Sequence, residues 1–218
     1  MHTLKILKTY YISHDVKQIA LEKPKDFIYR PGQSAHISVN IPGWEDQIRP
    51  FTFTSLNDWP FLEFTIKIYE ERQGVTSQIG RLEEGQEILL HDVFGTIEYK
   101  GSGVFLAGGT GITPFIAILR ALYLTGNIRN IGLIYSNKSQ SDIILHDELK
   151  KILGKGYIDV FTRQGVIGFR ENRIDKKFLA ETIHSFDSYF YVCGPKSFTK
   201  DLTKDLIELG AKPQSVII

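Results

Sequence analysis

FLAGGTGITPF, residues 105–115, decides how the rest of the chain is read. The apolar run 104–107 breaks at Gly108, Gly109, Thr110 and Gly111, and an apolar helical pattern starts around Pro114. That order is a strand, a glycine turn and a helix, with proline early in the first helical turn, where its missing N–H costs nothing. Glycines let backbone come close to a ligand, and the free N–H groups of the helix attract an anion. The pyrophosphate of a dinucleotide fits such a place. A second turn, Val192-Cys193-Gly194-Pro195, ends another apolar strand further on. Two such turns at the ends of neighbouring parallel strands would form one wall of a nucleotide cleft. Alone, each is equally at home in α/β proteins that bind no nucleotide. No Lys-Ser/Thr pair ends the first turn, which argues against ATP or GTP hydrolysis, and its glycine spacing departs from G-x-G-x-x-G.

Around this stretch, strand and helix patterns alternate. Strands are predicted at 104–107, 131–135, 157–161 and 189–193, and helices at 113–123, 142–153, 175–185 and 196–209. Such alternation implies a parallel sheet covered by helices. Before residue 101 the pattern differs: short alternating segments at 3–11, 16–21, 34–40, 51–55, 62–68 and 87–90, separated by turns such as Pro31-Gly32 and Glu84-Gly85. Six short strands with regular breaks predict an antiparallel barrel or sandwich. One short helix interrupts them, from near Gly74 towards Leu82. Lys100-Gly101-Ser102-Gly103 reads as a polar hinge, dividing the chain into domains at 1–100 and 101–218.

Composition excludes several classes. Of 218 residues, 26 are Lys or Arg and 25 Asp or Glu, so charge balance gives no support for nucleic-acid binding. A single cysteine rules out an internal disulfide, a four-cysteine iron–sulfur cluster or a cysteine-rich zinc site within the chain. The histidines show no ligand spacing, so no metal is expected. No apolar run is long enough to span a membrane. The N-terminal stretch reads as a strand and not a signal peptide, so a cytoplasmic protein is expected. The sequence carries no signal for assembly, and the chain is read as a monomer.

Arg49-Pro50-Phe51-Thr52-Phe53-Thr54-Ser55 alternates so that Arg49, Phe51, Phe53 and Ser55 share one face, with Thr52 and Thr54 on the other. A planar ligand over such a strand would meet a cation, an aromatic edge and hydroxyls. The plainer alternative is a barrel strand with a buried aromatic face and an arginine at its rim. Next, Gly74-Val75-Thr76-Ser77 precedes an apolar-periodic stretch and starts a helix, either as an anion site or as an ordinary N-cap.

Together these segments resemble the ferredoxin/flavodoxin–NADP reductase family. Residues 49–55 are similar to its flavin-binding Arg-x-Tyr-Ser-x-x-Ser/Thr motif, and 74–77 to its Gly-x-x-Ser motif. Residues 108–114 resemble its Gly-Gly-Thr-Gly-Ile-Thr-Pro turn, and 193–195 its nicotinamide-side turn. Pro31-Gly32-Gln33 matches its strand-opening triplet. The resemblance covers essentially the whole chain, in order. It implies a flavin-binding barrel followed by a nicotinamide-nucleotide domain, with FAD and NADPH as cofactors and NADH as an alternative.

The same resemblance implies roles. Arg49 would meet the flavin phosphates, and Phe51 would pack on the ring where the family has tyrosine. Thr52 would stand beside the redox-active nitrogen, and Ile66, Lys67 and Ile68 would hold the flavin through backbone. Gly74, Thr76 and Ser77 would hold its pyrophosphate. Gly109, Thr110 and Gly111 would hold the pyridine nucleotide's pyrophosphate, and Cys193, Gly194 and Pro195 its nicotinamide. Cys193 is read as a positioning residue, or else as a cysteine merely buried at a strand end. Thr162 and Arg163 resemble the family's pair for the adenosine 2′-phosphate, unless Arg163 is a solvated strand-end arginine. Thr52 and Cys193 are the candidate catalytic residues. The chain ends without an aromatic, so an open or aliphatic-covered flavin face is expected. The implied reaction passes electrons from NADPH through FAD to a flavodoxin or ferredoxin-like carrier. Alternatives are reduction of free flavin, ferric chelates or an oxygenase component, and a non-enzymatic nucleotide-binding regulatory module.

Overall fold

The computed structural model describes residues 1–95, 97–163 and 173–218. The alternating segments of the first half form β1 (His2–Tyr11), β2 (Val16–Glu22), β3 (Gln33–Val39), β4 (Arg49–Thr52), β5 (Phe61–Lys67) and β6 (Glu87–Gly95). They pair antiparallel in the order β4-β3-β6-β1-β2-β5. The two ends of the sheet meet where Phe53 bridges Phe64 and the Thr54 N–H reaches the Glu63 carbonyl at 2.8 Å, so the sheet curls into a barrel. Alternate residues point inwards: Leu4 and Ile6, Ile19 and Leu21, Ile37 and Val39, Leu62, Phe64 and Ile66, Ile88 and Leu90. Helix α1 (Val75–Arg81) adds Val75 and Ile79 to the same core. At its other end the buried Lys17 ammonium donates to the carbonyls of Gly80 and Leu82 at 2.9 and 2.5 Å.

The second half runs β7 (Gly103–Gly108), α2 (Thr113–Leu124), β8 (Gly132–Asn137), α3 (His146–Leu153), β9 (Tyr157–Phe161), α4 (Lys176–Thr182), β10 (Tyr189–Cys193), α5 (Lys196–Glu208) and β11 (Val216–Ile217). Its strands are all parallel, in the order β11-β10-β7-β8-β9. Phe105 and Ala107 of β7 share a core with α2 and α3, while Leu106 between them packs with α4 and α5. Burial on both faces explains why these strands read as continuous apolar runs. Among the described residues no helix is long and apolar enough to cross a membrane.

Four details differ from the sequence reading. β4 stops at Thr52, because the next residues turn into the barrel closure at Phe53 and Thr54. α3 starts at His146, not at residue 142: Ser139 and Asp142 form a capping box that closes a separate short turn, and Leu145, at φ 55°, restarts the helix. The two-residue β11 was not anticipated; so short a segment gives no alternation to read. The segment read as a hinge is pinned: the Tyr191 hydroxyl accepts from the N–H groups of Lys100 and Gly101 at 2.9 and 3.0 Å and donates to the Gly101 carbonyl at 2.8 Å.

The halves share an apolar seam, with Val16 and Ile97 packed in the core that holds Phe105 and Ile118. Gly32 lies on this seam at φ +91°, where a Cβ would stand 2.1 Å from the Ile97 carbonyl oxygen and 3.1 Å from Ile118 Cδ1. That contact explains the glycine of Pro31-Gly32-Gln33.

Candidate functional site

β7 and β10 are neighbours with Ala107 opposite Cys193, so the turns that follow them emerge side by side. A Cβ on Gly111 would stand 2.2 Å from the Cys193 carbonyl oxygen, and one on Gly194 would stand 3.2 Å from Gly108 Cα. Glycine is needed on both turns because their backbones touch. After β7 the chain makes one tight turn, Gly109–Ile112, and enters α2 with Pro114 in its first turn; no side chain caps either start. The N–H groups at this end therefore lack the partners that a helix interior provides.

A cleft of about 370 Å³ opens in front of the turns, lined by Gly109, Thr110 and Pro195 on one side and by Ser136, Asn137, Lys138 and Thr162 at its end. The barrel supplies Lys67, Tyr69 and Arg72, with the Arg72 guanidinium 4.2 Å over the Tyr69 ring. Asn137 is 4% exposed and neither polar atom of its carboxamide has a hydrogen-bond partner. The neighbouring Tyr135 hydroxyl takes the Ile144 N–H at 3.4 Å. A buried amide in that condition costs about 1–3 kcal/mol, which a ligand with a polar edge relieves. Uncapped helix starts, cations from both halves, hydroxyls and an unpaired amide fit the pyrophosphate and sugars of a pyridine dinucleotide. Thr162 bonds the Asn137 carbonyl through its hydroxyl at 3.3 Å, and the exposed Arg163 follows, its N–H on the Lys138 carbonyl at 3.1 Å.

Outside this cleft lie Arg49, Phe51 and Thr52, on an edge strand of the barrel sheet. Arg49 is exposed and donates to the Ile48 carbonyl at 2.7 Å. Phe51 is half-buried against the barrel core, and the Thr52 hydroxyl shares a 3.0 Å hydrogen bond with Ser34. Phe53, grouped with Phe51 by alternation, is fully buried. On β5, Ile66 is a core residue, and just past its end the Ile68 N–H is taken by the Asp15 carbonyl at 2.7 Å. Gly74 caps α1 without a side-chain bond, and the Thr76 hydroxyl accepts from the Tyr69 N–H at 3.4 Å. Ser77 is buried and donates to Glu70 at 3.0 Å. An anion at this end would thus meet α1 backbone N–H groups, not the Ser77 hydroxyl. Tyr69, Arg72 and Ser34 went unnoticed in the sequence because no motif marks them.

Burial pushes the Cys193 thiol up to about 11, an effect that the hydrogen bond with Gly194 partly offsets. It is neutral at pH 7, which suits packing and not attack. Alkylation by iodoacetamide is therefore expected to be slow at pH 8 and to climb towards pH 11; fast reaction at pH 7 would contradict this. A polar cluster beside the cleft also joins the halves: His14 Nε2 lies 3.4 Å from Asp15 and 3.9 Å from Asp142, and the Lys67 ammonium lies 2.5 Å from Asp15. Lys67 already supplies the cation there, so the cluster reads as an ion-pair network.

Residues 1–88 match an FAD-binding domain and residues 105–204 an oxidoreductase NAD-binding domain. The flavohemoprotein of Bacillus subtilis (strain 168) is 28% identical over 86% of this chain and 50% of its own length. The reductase component of propane 2-monooxygenase from Rhodococcus jostii (strain RHA1) is 26% identical over 92% of this chain and 57% of its own. The chain spans about half the length of these curated relatives. Its fold is that of a ferredoxin NADP⁺ reductase from Neisseria gonorrhoeae solved with FAD and NADP, at a TM-score of 0.82 and 21% identity, covering 96% of this chain and 91% of that one.

Proposed function

Because this chain belongs to the oxidoreductases that join an FAD-binding domain to an NAD-binding domain, we propose that it is an NAD(P)H-dependent flavoprotein reductase serving a separate one-electron carrier. The observation that carries this reading is the contact of the two glycine turns at the mouth of a cleft whose other wall is the barrel's Lys67, Tyr69 and Arg72. The reading divides the chain at 1–100 and 101–218.

Bound FAD supplies the ability to take up a hydride and release electrons one at a time. The residues bind and orient. Arg49, exposed at the sheet edge, supplies a cation to the FAD phosphates. The N–H groups of α1 behind Gly74 and Thr76 complete that anion site. Phe51 offers an aromatic face to the ring, and Thr52, tied to Ser34, presents its hydroxyl beside it. Gly109, Thr110 and Gly111 receive the pyridine nucleotide's pyrophosphate, with Arg72 as a counter-cation from the barrel and Lys67, paired with Asp15, lining the same wall. Cys193, Gly194 and Pro195 position the nicotinamide. Lys138, Thr162 and Arg163 offer a 2′-phosphate the cations and hydroxyl it requires, which favours NADPH over NADH. A flavodoxin or ferredoxin-like protein is the proposed acceptor. The relatives' names, a flavohemoprotein and a monooxygenase reductase component, make a haem protein or an oxygenase component the alternative.

Anaerobic titration of the FAD-loaded protein with NADPH and then NADH tests this. Stoichiometric NADPH is expected to bleach the flavin absorbance, with NADH acting more slowly. Protein that takes up no flavin and oxidises neither nucleotide would end the reductase reading; equal rates would end the assignment of Arg163.

A further inference from the structure

Arg120 is the single charged residue of α2, and it is 8% exposed. A guanidinium out of water needs its charge met and its N–H groups filled. Nη1 donates to the Thr54 carbonyl and to Glu63 Oε1, both at 2.7 Å. Nε and Nη2 fork onto the Glu148 carboxylate of α3 at 2.5 and 2.9 Å, and the guanidinium lies 5.0 Å from the Trp59 ring centre. Glu63 is itself fixed, accepting from the Thr54 hydroxyl at 2.8 Å while its N–H donates to the Ser55 hydroxyl at 2.8 Å. Thr54, Trp59 and Glu63 belong to the barrel. The helix that starts at the nucleotide turn is thus fastened, about two turns further on, to the chain just beyond Thr52.

We propose that Arg120 is a positioning residue that fixes the orientation of the second domain on the barrel, and through it the approach of nicotinamide to flavin. The second clause rests on the reductase reading; the first does not. Buried ion pairs roughly break even against well-packed apolar side chains, so this network adds direction more than stability. The rest of the seam is mainly apolar, Val16 and Ile97 against Phe105 and Ile118, and the His14–Asp142 contact across it is long, at 3.9 Å, and exposed on its His14 side. Apolar contacts resist separation but have no preferred angle, whereas a forked guanidinium–carboxylate contact fixes one. Misplacing the reacting atoms by about 1 Å costs up to about a hundredfold in rate.

The test is the double variant Glu63→Leu with Arg120→Met in the full chain, which leaves no unpaired charge in the barrel. Amide residual dipolar couplings, with and without FAD, report domain orientation independently of turnover. Wild-type couplings from both domains are expected to fit one alignment tensor, and those of the variant to require two. FAD content and NADP⁺ affinity are expected to stay within about twofold, while single-turnover flavin bleaching slows about tenfold to a hundredfold and the long-wavelength charge-transfer absorbance weakens. A variant that keeps one tensor overturns the proposal, whatever its rate. Two tensors with an unchanged rate overturn the second clause. If the wild type is reduced by neither nucleotide, the reductase reading fails while the couplings still decide the first clause. Should the double variant not fold, Arg120→Lys, which keeps the charge but not the fork, is measured in the same way.

Discussion

Alanine at position 111 is expected to close the nucleotide site. The added Cβ would stand 2.2 Å from the Cys193 carbonyl oxygen, 2.4 Å from its carbon and 2.6 Å from the Gly194 nitrogen. All three are backbone atoms, so no rotamer relieves the overlap. β7 and β10 are held in register through five residue pairs, which leaves separation of the two turns as the way out. Overpacking of this kind costs about 1–3 kcal/mol in a core, and here the clash is with main chain. If about 2–3 kcal/mol of it is relieved by moving the turns apart, the dissociation constant for NADP⁺ rises about 30- to 150-fold. Gly109→Ala is the control. Gly109 has φ +54° but nothing within 4 Å of a Cβ, so it should lose about 1–2 kcal/mol from backbone strain and little affinity beyond that. Calorimetric titration with NADP⁺ and thermal unfolding of both variants distinguish steric contact from glycine flexibility. Equal losses in the two would show that the turns do not touch as described.

What the sequence made legible, and what it hid, follows from the range of the interactions involved. The two glycine turns, the parallel neighbours that bear them and the barrel strands depend on local periodicity and on residues that punctuate it. α1 was readable because Gly74 and the helix-starting residues Thr76 and Ser77 come just before the apolar pair Ile79 and Leu82. Arg120 was half-readable: a lone arginine within TPFIAILRALYL signals a buried partner, but that partner, Glu63, lies 57 residues away and becomes a neighbour only when the two halves meet. The Ser77 hydroxyl looked free as an anion donor because nothing local claims it, yet Glu70 folds back along α1 to take it. Asp142 misled in the opposite sense. It looked like the start of a long helix, and its carboxylate instead accepts the Ser139 N–H at 3.0 Å and ends a turn of its own.

The hardest residue to read was Phe53, and it carries the second large effect. Alternation put it beside Phe51 on one face of the strand, a face that could lie under a planar ligand or be buried in the barrel. That parity is kept, but the face changes environment along its length: Phe51 stays half-buried at the rim, whereas Phe53 lies where the barrel closes. Its ring is stacked on Tyr29 at 4.1 Å and packs against Phe64 at 4.8 Å, with no exposure to water. Phe53→Ala should therefore cost about 3–5 kcal/mol. At about 2–4 °C per kcal/mol for a chain of this size, that lowers the melting midpoint by about 6–20 °C. Phe51→Ala should behave differently. It removes less buried surface, so the apo-protein melts nearly as before, while FAD binds several-fold to about tenfold more weakly for want of a ring to pack on. Thermal unfolding without FAD, set beside fluorescence titration with FAD, separates the two roles. Were Phe53→Ala to lose FAD affinity at unchanged apo-protein stability, the strand would have to be turned over, with Phe53 towards the ligand. Thr52 and Ser34 could not then share their hydrogen bond, since the register that pairs them also sends Phe53 inwards.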